Sequence, residues 1–348
     1  MLEKSFVQEK KTPNPSVEEI IKKKDYKELS KHLEEGIKEY LNGDTFKNFL
    51  DFVSKFHKYS SKNVRLILDQ NPNATHVAGF KSWKKMGRYV NKGSKALYVY
   101  APSIKDKVDK DGNKVTNENG EIEKEISYFL TPVFDVSQTS GEQELPKQVY
   151  NLTEDMDDPK VFTQTYKALV EISPAPVTIE SFDDSAEGYY RPSTNDIVIQ
   201  EGLGEVMTLK VLLHEMTHAM LHSNSEAQYG DQVYSKQEFE AESVAYIVSS
   251  HLGIDTSDYS FGYLASWTEQ GRKLEELSNS LEVITSQAKE LIDRIDQSLN
   301  KVYTMDAPKN KFEERVAIAR TKGPVEPRKP AKEYEVADPK VNRPTKTL

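Results

Sequence analysis

The chain has 348 residues, 30% of them charged and 36% hydrophobic, with a net charge of −9 and no cysteine. That length sets an expectation of two domains, and the missing cysteine, which fits a reducing compartment, excludes thiolate metal sites, disulfides and cysteine nucleophiles, so any metal must be held by histidine and carboxylate. No apolar run approaches the ~18 residues that span a bilayer, and the opening residues lack the apolar stretch of a secretion signal, so a cytoplasmic protein with no membrane partner is expected.

Residues 1–18 are polar, with Pro13 and Pro15, and read as a disordered lead-in. From Val17 to Leu68 the pattern is helical, with Leu41, Phe46, Phe49, Leu50, Val53 and Phe56 on one apolar face. The chain turns at Asn71-Pro72-Asn73. Ala96–Tyr100 and Ile126–Val136 are rich in β-formers, and the Asp111-Gly112 and Asn119-Gly120 pairs between them predict a long hairpin arm. The polar stretch Ser137–Pro146 marks the domain boundary, with the linker at 141–150. Next come a helix near Val161–Ile172, short strands at Val177–Ile179, Gly188–Tyr190 and Asp196–Gln200, and helices at about Val206–His222 and Lys236–Leu252. Beyond Gly262 a long helix carries Leu274, Leu277, Leu281, Ile284, Ala288, Leu291, Ile295 and Leu299 in steps of three and four. That seam is read as core packing in preference to a coiled coil, because it spans too few heptads. The tail after Met305, rich in Lys, Pro and Glu, reads as disordered.

The chemistry concentrates at His214-Glu215-Met216-Thr217-His218. Histidines four apart on a helix project from one face, so both can reach one zinc ion. Glu215 is then placed to take a proton from an activated water during peptide hydrolysis. A third ligand is expected from Glu238-Phe239-Glu240-Ala241-Glu242. Glu238 is assigned as that ligand and Glu240 is the second choice; Glu242, one turn on, is expected to fix a ligand histidine through a hydrogen bond. His222 does not fit the three-histidine zincin pattern. Asp196–Ile199 is either an edge strand that pairs with substrate main chain or an ordinary core strand. Tyr189, Tyr190, Tyr246 and Tyr263 are oxyanion-donor candidates, with core packing as the alternative.

Between Lys55 and Lys110 thirteen Lys or Arg face three Asp, a local charge of +10 in a protein whose total is −9. Aromatic residues are interleaved: Phe56, Tyr59, Phe80, Trp83, Tyr89, Tyr98 and Tyr100. Cations for phosphates and rings for bases suit single-stranded nucleic acid. A solvated basic face over buried aromatics is the other reading. Neither a Rossmann glycine fingerprint nor a phosphate-binding loop is present.

Both regions together resemble the ArdC-type antirestriction proteins, and closely their LtrC-like relatives on mobile elements of Gram-positive bacteria. In the first half the resemblance rests on Asn71–Trp83 and Gly87–Ala96; in the second, on the His-Glu-x-x-His helix, Glu238–Tyr246 and Leu252–Tyr263. The Glu-Phe-Glu-Ala-Glu run also looks like the third-ligand helix of gluzincins, which supports Glu238. The resemblance implies an α+β fold: a single-stranded-DNA-binding domain at 19–140, then a zincin-like (gluzincin) metallopeptidase domain at 151–304 that ends in a long helix, with a tail at 305–348. Zn2+ is the expected cofactor, bound by His214, His218 and Glu238, with Glu215 catalytic. Expected DNA contacts are Tyr59, Asn63, Lys81, Trp83, Lys84, Lys85, Arg88, Lys92 and Lys95. The implied partners are single-stranded DNA and a protein, either an unknown substrate or a host restriction enzyme. The arm from Ser103 to Lys124 is longer than the family pattern, so no DNA surface carries over through it. Two alternatives stay open: a metallopeptidase that cleaves a regulator, and a non-catalytic DNA-binding protein with a structural metal.

Overall fold

The computed structural model describes residues 15–141, 152, 159–183, 186–227, 231–256 and 274–304. The expected lead-in up to residue 14, the linker at 142–150, the tail and the Ser257–Tyr263 part of the quoted motif, Tyr263 included, lie outside them.

The amino-terminal half opens with helices α1 (Val17–Lys23), α2 (Tyr26–Gly36), α3 (Gly43–Lys55) and α4 (Ser61–Gln70), with a 3-10 turn at Ile37–Leu41 before α3. Each helix begins at a residue suited to capping: Ser16, Asp25, Asn42 and Ser60 all accept from a backbone N–H of the first turn. The helical reading from Val17 thus holds, and Val17 and Glu18 belong to α1 rather than to the lead-in. The apolar face foreseen on α3 is fully inside: Phe46, Phe49, Leu50 and Val53 are all solvent-free.

A short strand β1 (Val77–Ala78), helix α5 (Phe80–Lys85) and strand β2 (Tyr89–Val90) lead into the hairpin of β3 (Leu97–Asp106) and β4 (Lys124–Asp135). Strand order is β1-β4-β3, antiparallel throughout. Both hairpin strands run well past the body of the protein, so Ile104 and Ile126, cross-strand partners, stand exposed on the arm. The outer edge of β3 is covered by side chains rather than by a strand. Asn63 and Gln70, seven apart on α4, bond the main chain of Tyr100 and Tyr98 as a neighbouring strand would: Asn63 Nδ2 donates to the Tyr100 carbonyl at 3.0 Å and Oδ1 accepts its N–H at 2.8 Å. Gln70 makes the matching pair with Tyr98 at 2.8 and 2.9 Å.

The stretch from Ser137, expected as linker, is folded as far as Gly141. Val136–Gln138 form a 3-10 turn, and β5 (Thr139–Ser140) pairs with β2. Gly141 lies so close to the preceding turn that a Cβ there would meet the Gly87 carbonyl at 2.6 Å. The polar groups of this stretch are spent on hydrogen bonds, such as those from Arg88 to Thr139, which tie it to the first half up to the expected linker at 141–150.

The second half consists of α6 (Pro159–Ile172), strands β6 (Val177–Glu180), β7 (Gly188–Arg191) and β8 (Asp196–Gln200), then α7 (Glu205–Leu221), α8 (Gln232–Leu252) and α9 (Leu274–Thr304). The sheet order is β6-β8-β7. β8 is thus central, parallel to β6 and antiparallel to β7, with Ile197, Val198 and Ile199 solvent-free. The edge-strand reading of Asp196–Ile199 is corrected: the edge strands are β6 and β7, of which β7 lines the cleft described below. A run of three aliphatics reads equally as edge or centre until its partners are known. In α9 the seam from Leu277 to Leu299 is buried against α6, α8 and α4 of the same chain, as the core-packing reading holds. One apolar core runs through both halves, joining Phe46 and Phe49 of α3 to Phe239, Val244 and Ile247 of α8 and to Leu281 and Ile284 of α9.

Candidate metal centre and nucleic-acid surface

Helix α7 is apolar through Leu209, Leu212, Leu213 and Met216, all solvent-free, so it is anchored in the core and turns its histidine face toward α8. His214 and His218 lie one turn apart, with their Nε2 atoms 3.0 Å from one another. Glu238 enters from α8 with one oxygen 3.5 Å from His214 Nε2 and the other 3.3 Å from His218 Nε2. A tetrahedral ion with bonds of about 2.0–2.1 Å needs ligand atoms roughly 3.3 Å apart, so this triangle fits a divalent cation. Among the described residues these three form the group of donors able to hold a metal.

The surroundings fix the donors. Glu242, one turn beyond Glu238, places Oε2 3.3 Å from His214 Nδ1 and so turns Nε2 toward the centre. Burial disfavours the His214 imidazolium, but Glu238 and Glu242 outweigh it and raise its pKa to about 10. Burial would raise Glu238, yet hydrogen bonds from both histidines hold its carboxyl far below the usual range. A cation at these donors would compete with the proton that the pairing holds on His214. Glu215 is 7% exposed, and burial pushes its pKa upward against the pull of His214 and His218 and a hydrogen bond from the Tyr190 backbone. Glu240 turns away: Ser280 donates to it at 2.6 Å and Lys236 lies 3.6 Å off. His222 ends the same helix face, its pKa lowered to about 4 by burial and by His218 and Lys236.

The centre opens into a cleft of about 590 Å³ walled by α7, α8 and the edge strand β7, with Tyr189 and Tyr190 among its lining. The Tyr190 hydroxyl is bonded to Asn195 Oδ1 at 2.9 Å. Tyr246 does not serve the cleft, since its hydroxyl is bonded to Asp51. Sequence reasoning missed the role of β7; its signal was Gly188, the one residue type that permits the strand to lie directly on α7.

The expected DNA contacts divide in two. Tyr59, Asn63 and Trp83 are buried in the fold and offer no open face, which corrects their reading as DNA contacts; Arg88 is half-buried and bonded to Thr139. Trp83 is solvent-free and donates to the Phe134 carbonyl at 2.8 Å, and Tyr59 donates to the Val77 carbonyl at 3.2 Å. Asn63 bonds β3, and Arg88 Nε bonds Thr139 Oγ1 at 2.9 Å. Lys81, Lys84, Lys85, Lys92 and Lys95 are exposed, Lys95 in an ion pair with Glu18. The rings that stand among them are Phe80 and Tyr89, 57% and 59% exposed, on the adjoining α5 and β2.

Residues 19–134 match the N-terminal domain of anti-restriction factor ArdC, and residues 171–292 match the IrrE N-terminal-like domain of the M78 peptidases. An uncharacterised protein of Bacillus anthracis is 30% identical over 326 residues, which covers 84% of this chain and 55% of that protein. The DNA primase TraC of Escherichia coli is 26% identical over 233 residues, 60% of this chain and 15% of the primase. The chain thus spans about half the length of the first relative and a small part of the second. Two crystal structures of the antirestriction protein ArdC from plasmid R388 are similar. The metal-free form has 20% identity over 70% of this chain and 86% of that chain, with a TM-score of 0.45. The Mn(II)-bound form has 18% identity over 69% of this chain and 85% of that chain, with a TM-score of 0.42. Among the described residues no helix is long and apolar enough to cross a membrane.

Proposed function

From the premise that this chain has the ArdC-type architecture, an ArdC N-terminal domain followed by an IrrE-like peptidase domain, we propose that it is an antirestriction-type protein of a mobile element that binds single-stranded DNA and hydrolyses a protein with Zn2+. The observation that carries the peptidase reading is the His214–His218–Glu238 triangle beside a buried Glu215 on the wall of an open cleft. Zinc bound there supplies Lewis acidity to a water and to the scissile carbonyl. Glu215, buried beside those ligands, would be the group that accepts a proton from water and passes it to the departing amine. Burial raises its pKa, which is the direction a general base requires. The substrate main chain pairs with β7, whose outer edge faces the cleft.

The test uses Glu215→Gln. Zinc content, by mass spectrometry, is expected to stay at the wild-type level. New peptide termini, scored by terminal proteomics after incubation with a host lysate, are expected with the wild type and not with the variant. The same termini at the same rate from both proteins would refute the mechanism.

The nucleic-acid half of the proposal rests on Phe80 and Tyr89 among Lys81, Lys84, Lys85, Lys92 and Lys95. The burial of Tyr59 and Trp83 favours a second reading, in which the first domain recognises a protein regulator that the second cleaves. Salt-dependent preference for single-stranded over duplex DNA separates the two.

A further inference from the structure

Helix α8, which contributes Glu238 and Glu242, is enclosed on three sides, and one side is built by the amino-terminal half of the chain. Its carboxylates, four residues apart, form the stripe that faces α7. A second stripe, Phe239, Tyr246 and Ser250, faces α3. Phe239 stacks on Phe46 with centroids 5.1 Å apart and planes at 28°. The Tyr246 hydroxyl donates to Asp51 Oδ1 at 2.6 Å, and the Ser250 and Ser54 hydroxyls are 3.1 Å apart. Lys47 lies over the Tyr246 ring, 5.7 Å from its centroid. A third stripe, Glu240 and His251, faces α9 through Ser280 and Asp296.

We propose that Phe46 and Asp51 on α3 are positioning residues for the metal centre, acting through Phe239 and Tyr246 to fix the rotation of α8. This inference rests on the reading of His214, His218 and Glu238 as a metal site. The physical argument is geometric. A helix with its side chains is about 5–6 Å in radius, so a rotation of ~10° carries a carboxylate ~1 Å along its arc. Metal–ligand distances tolerate only about 0.2 Å. Apolar packing leaves a helix some freedom to roll, which a large ring stacked in a close-packed core, such as Phe46 on Phe239, narrows. A directional bond between a buried phenol and a carboxylate narrows it further, and Tyr246 is 1% exposed. Glu242 rides on the same helix, so one rotation moves both Glu238 and the group that orients the His214 ring.

The experiment uses the full chain and its variants Tyr246→Phe, Phe46→Ala and Phe46→Leu, with Leu29→Ala as a control in the separate small core of α1 and α2. Zn2+ affinity is read by competition with a chromophoric chelator, and site geometry by the visible spectrum of Co2+ added in place of Zn2+. Tyr246→Phe and Phe46→Ala are expected each to weaken Zn2+ binding about tenfold and to shift the Co2+ bands. Phe46→Leu is expected to recover most of the affinity. Leu29→Ala is expected to lower the melting temperature with no change in affinity. Wild-type affinity and spectrum in Tyr246→Phe, whatever its melting temperature, would overturn the positioning role while leaving the metal centre intact. Failure of the wild type itself to take up Zn2+ would overturn the metal-centre reading and this inference with it.

Discussion

At Gly188 the strand β7 comes so near α7 that a methyl group would meet Val211 Cγ1 at 2.4 Å and the Val198 carbonyl oxygen at 3.0 Å. The Glu215 side chain lies just beyond, 3.5 Å from the same point. Gly188→Ala is therefore expected to push β7 off the helix, at a cost of about 1–3 kcal/mol from overpacking. It should depress cleavage more than zinc content, since it disturbs the base and the edge strand but not the triangle; denaturant unfolding and metal analysis measure the two. Asp135 is the second residue that carries a prediction. It accepts from the N–H groups of Thr75, His76 and Ser137 and from the Ser137 hydroxyl. Burial would raise its carboxyl, but these bonds prevail and its pKa is lowered. A group depressed in the folded state contributes stability above its unfolded value of about 3.9 and loses it as pH falls through the lower folded value. Acid melting curves should therefore show a loss below about pH 4 that is smaller in Asp135→Asn, because its neutral amide cannot titrate while the other depressed carboxyls still do.

Among the elements, α7 and α8 were the most legible in the sequence. Their chemistry depends on spacings within single helices, and a period of 3.6 residues brings His214 to His218 and Glu238 to Glu242 whatever the rest of the chain does. The order of β6, β7 and β8 was not legible, because three short strands can be laid side by side in several ways and only long-range packing chooses. The unit of α5 and β2 shows the same limit. Charge and aromatic spacing marked it as a surface, but nothing local separates Trp83, which fills the core, from Phe80, which does not. The structure makes that distinction testable with labelled oligonucleotides. Phe80→Ala and Tyr89→Ala should each weaken single-strand binding by ~1–3 kcal/mol, as for a lost stacking platform. Lys84→Ala should instead flatten the salt dependence. Unchanged binding in both aromatic variants would remove α5 and β2 from the interface.

On the scale of the whole molecule, the sequence suggested two separate units, and helices α6 to α9 were placed correctly along the chain, whereas α5 was not foreseen. Their partnership across the boundary was not visible, since the apolar faces of α3 and α8 are each satisfied by any complementary surface. The joint core of Phe46, Phe239 and Leu281 follows from tertiary choice. The side-chain amides along β3 have a consequence for the behaviour of the protein in a crowded solution. Tyr98 and Tyr100 point their main-chain groups outward, and Asn63 and Gln70 occupy them. The next residue of that parity is Pro102, which has no N–H to offer. Where the helix stops guarding the edge, the imino acid takes over, so the β3 edge from Tyr98 to Pro102 presents little template for another chain to polymerise upon.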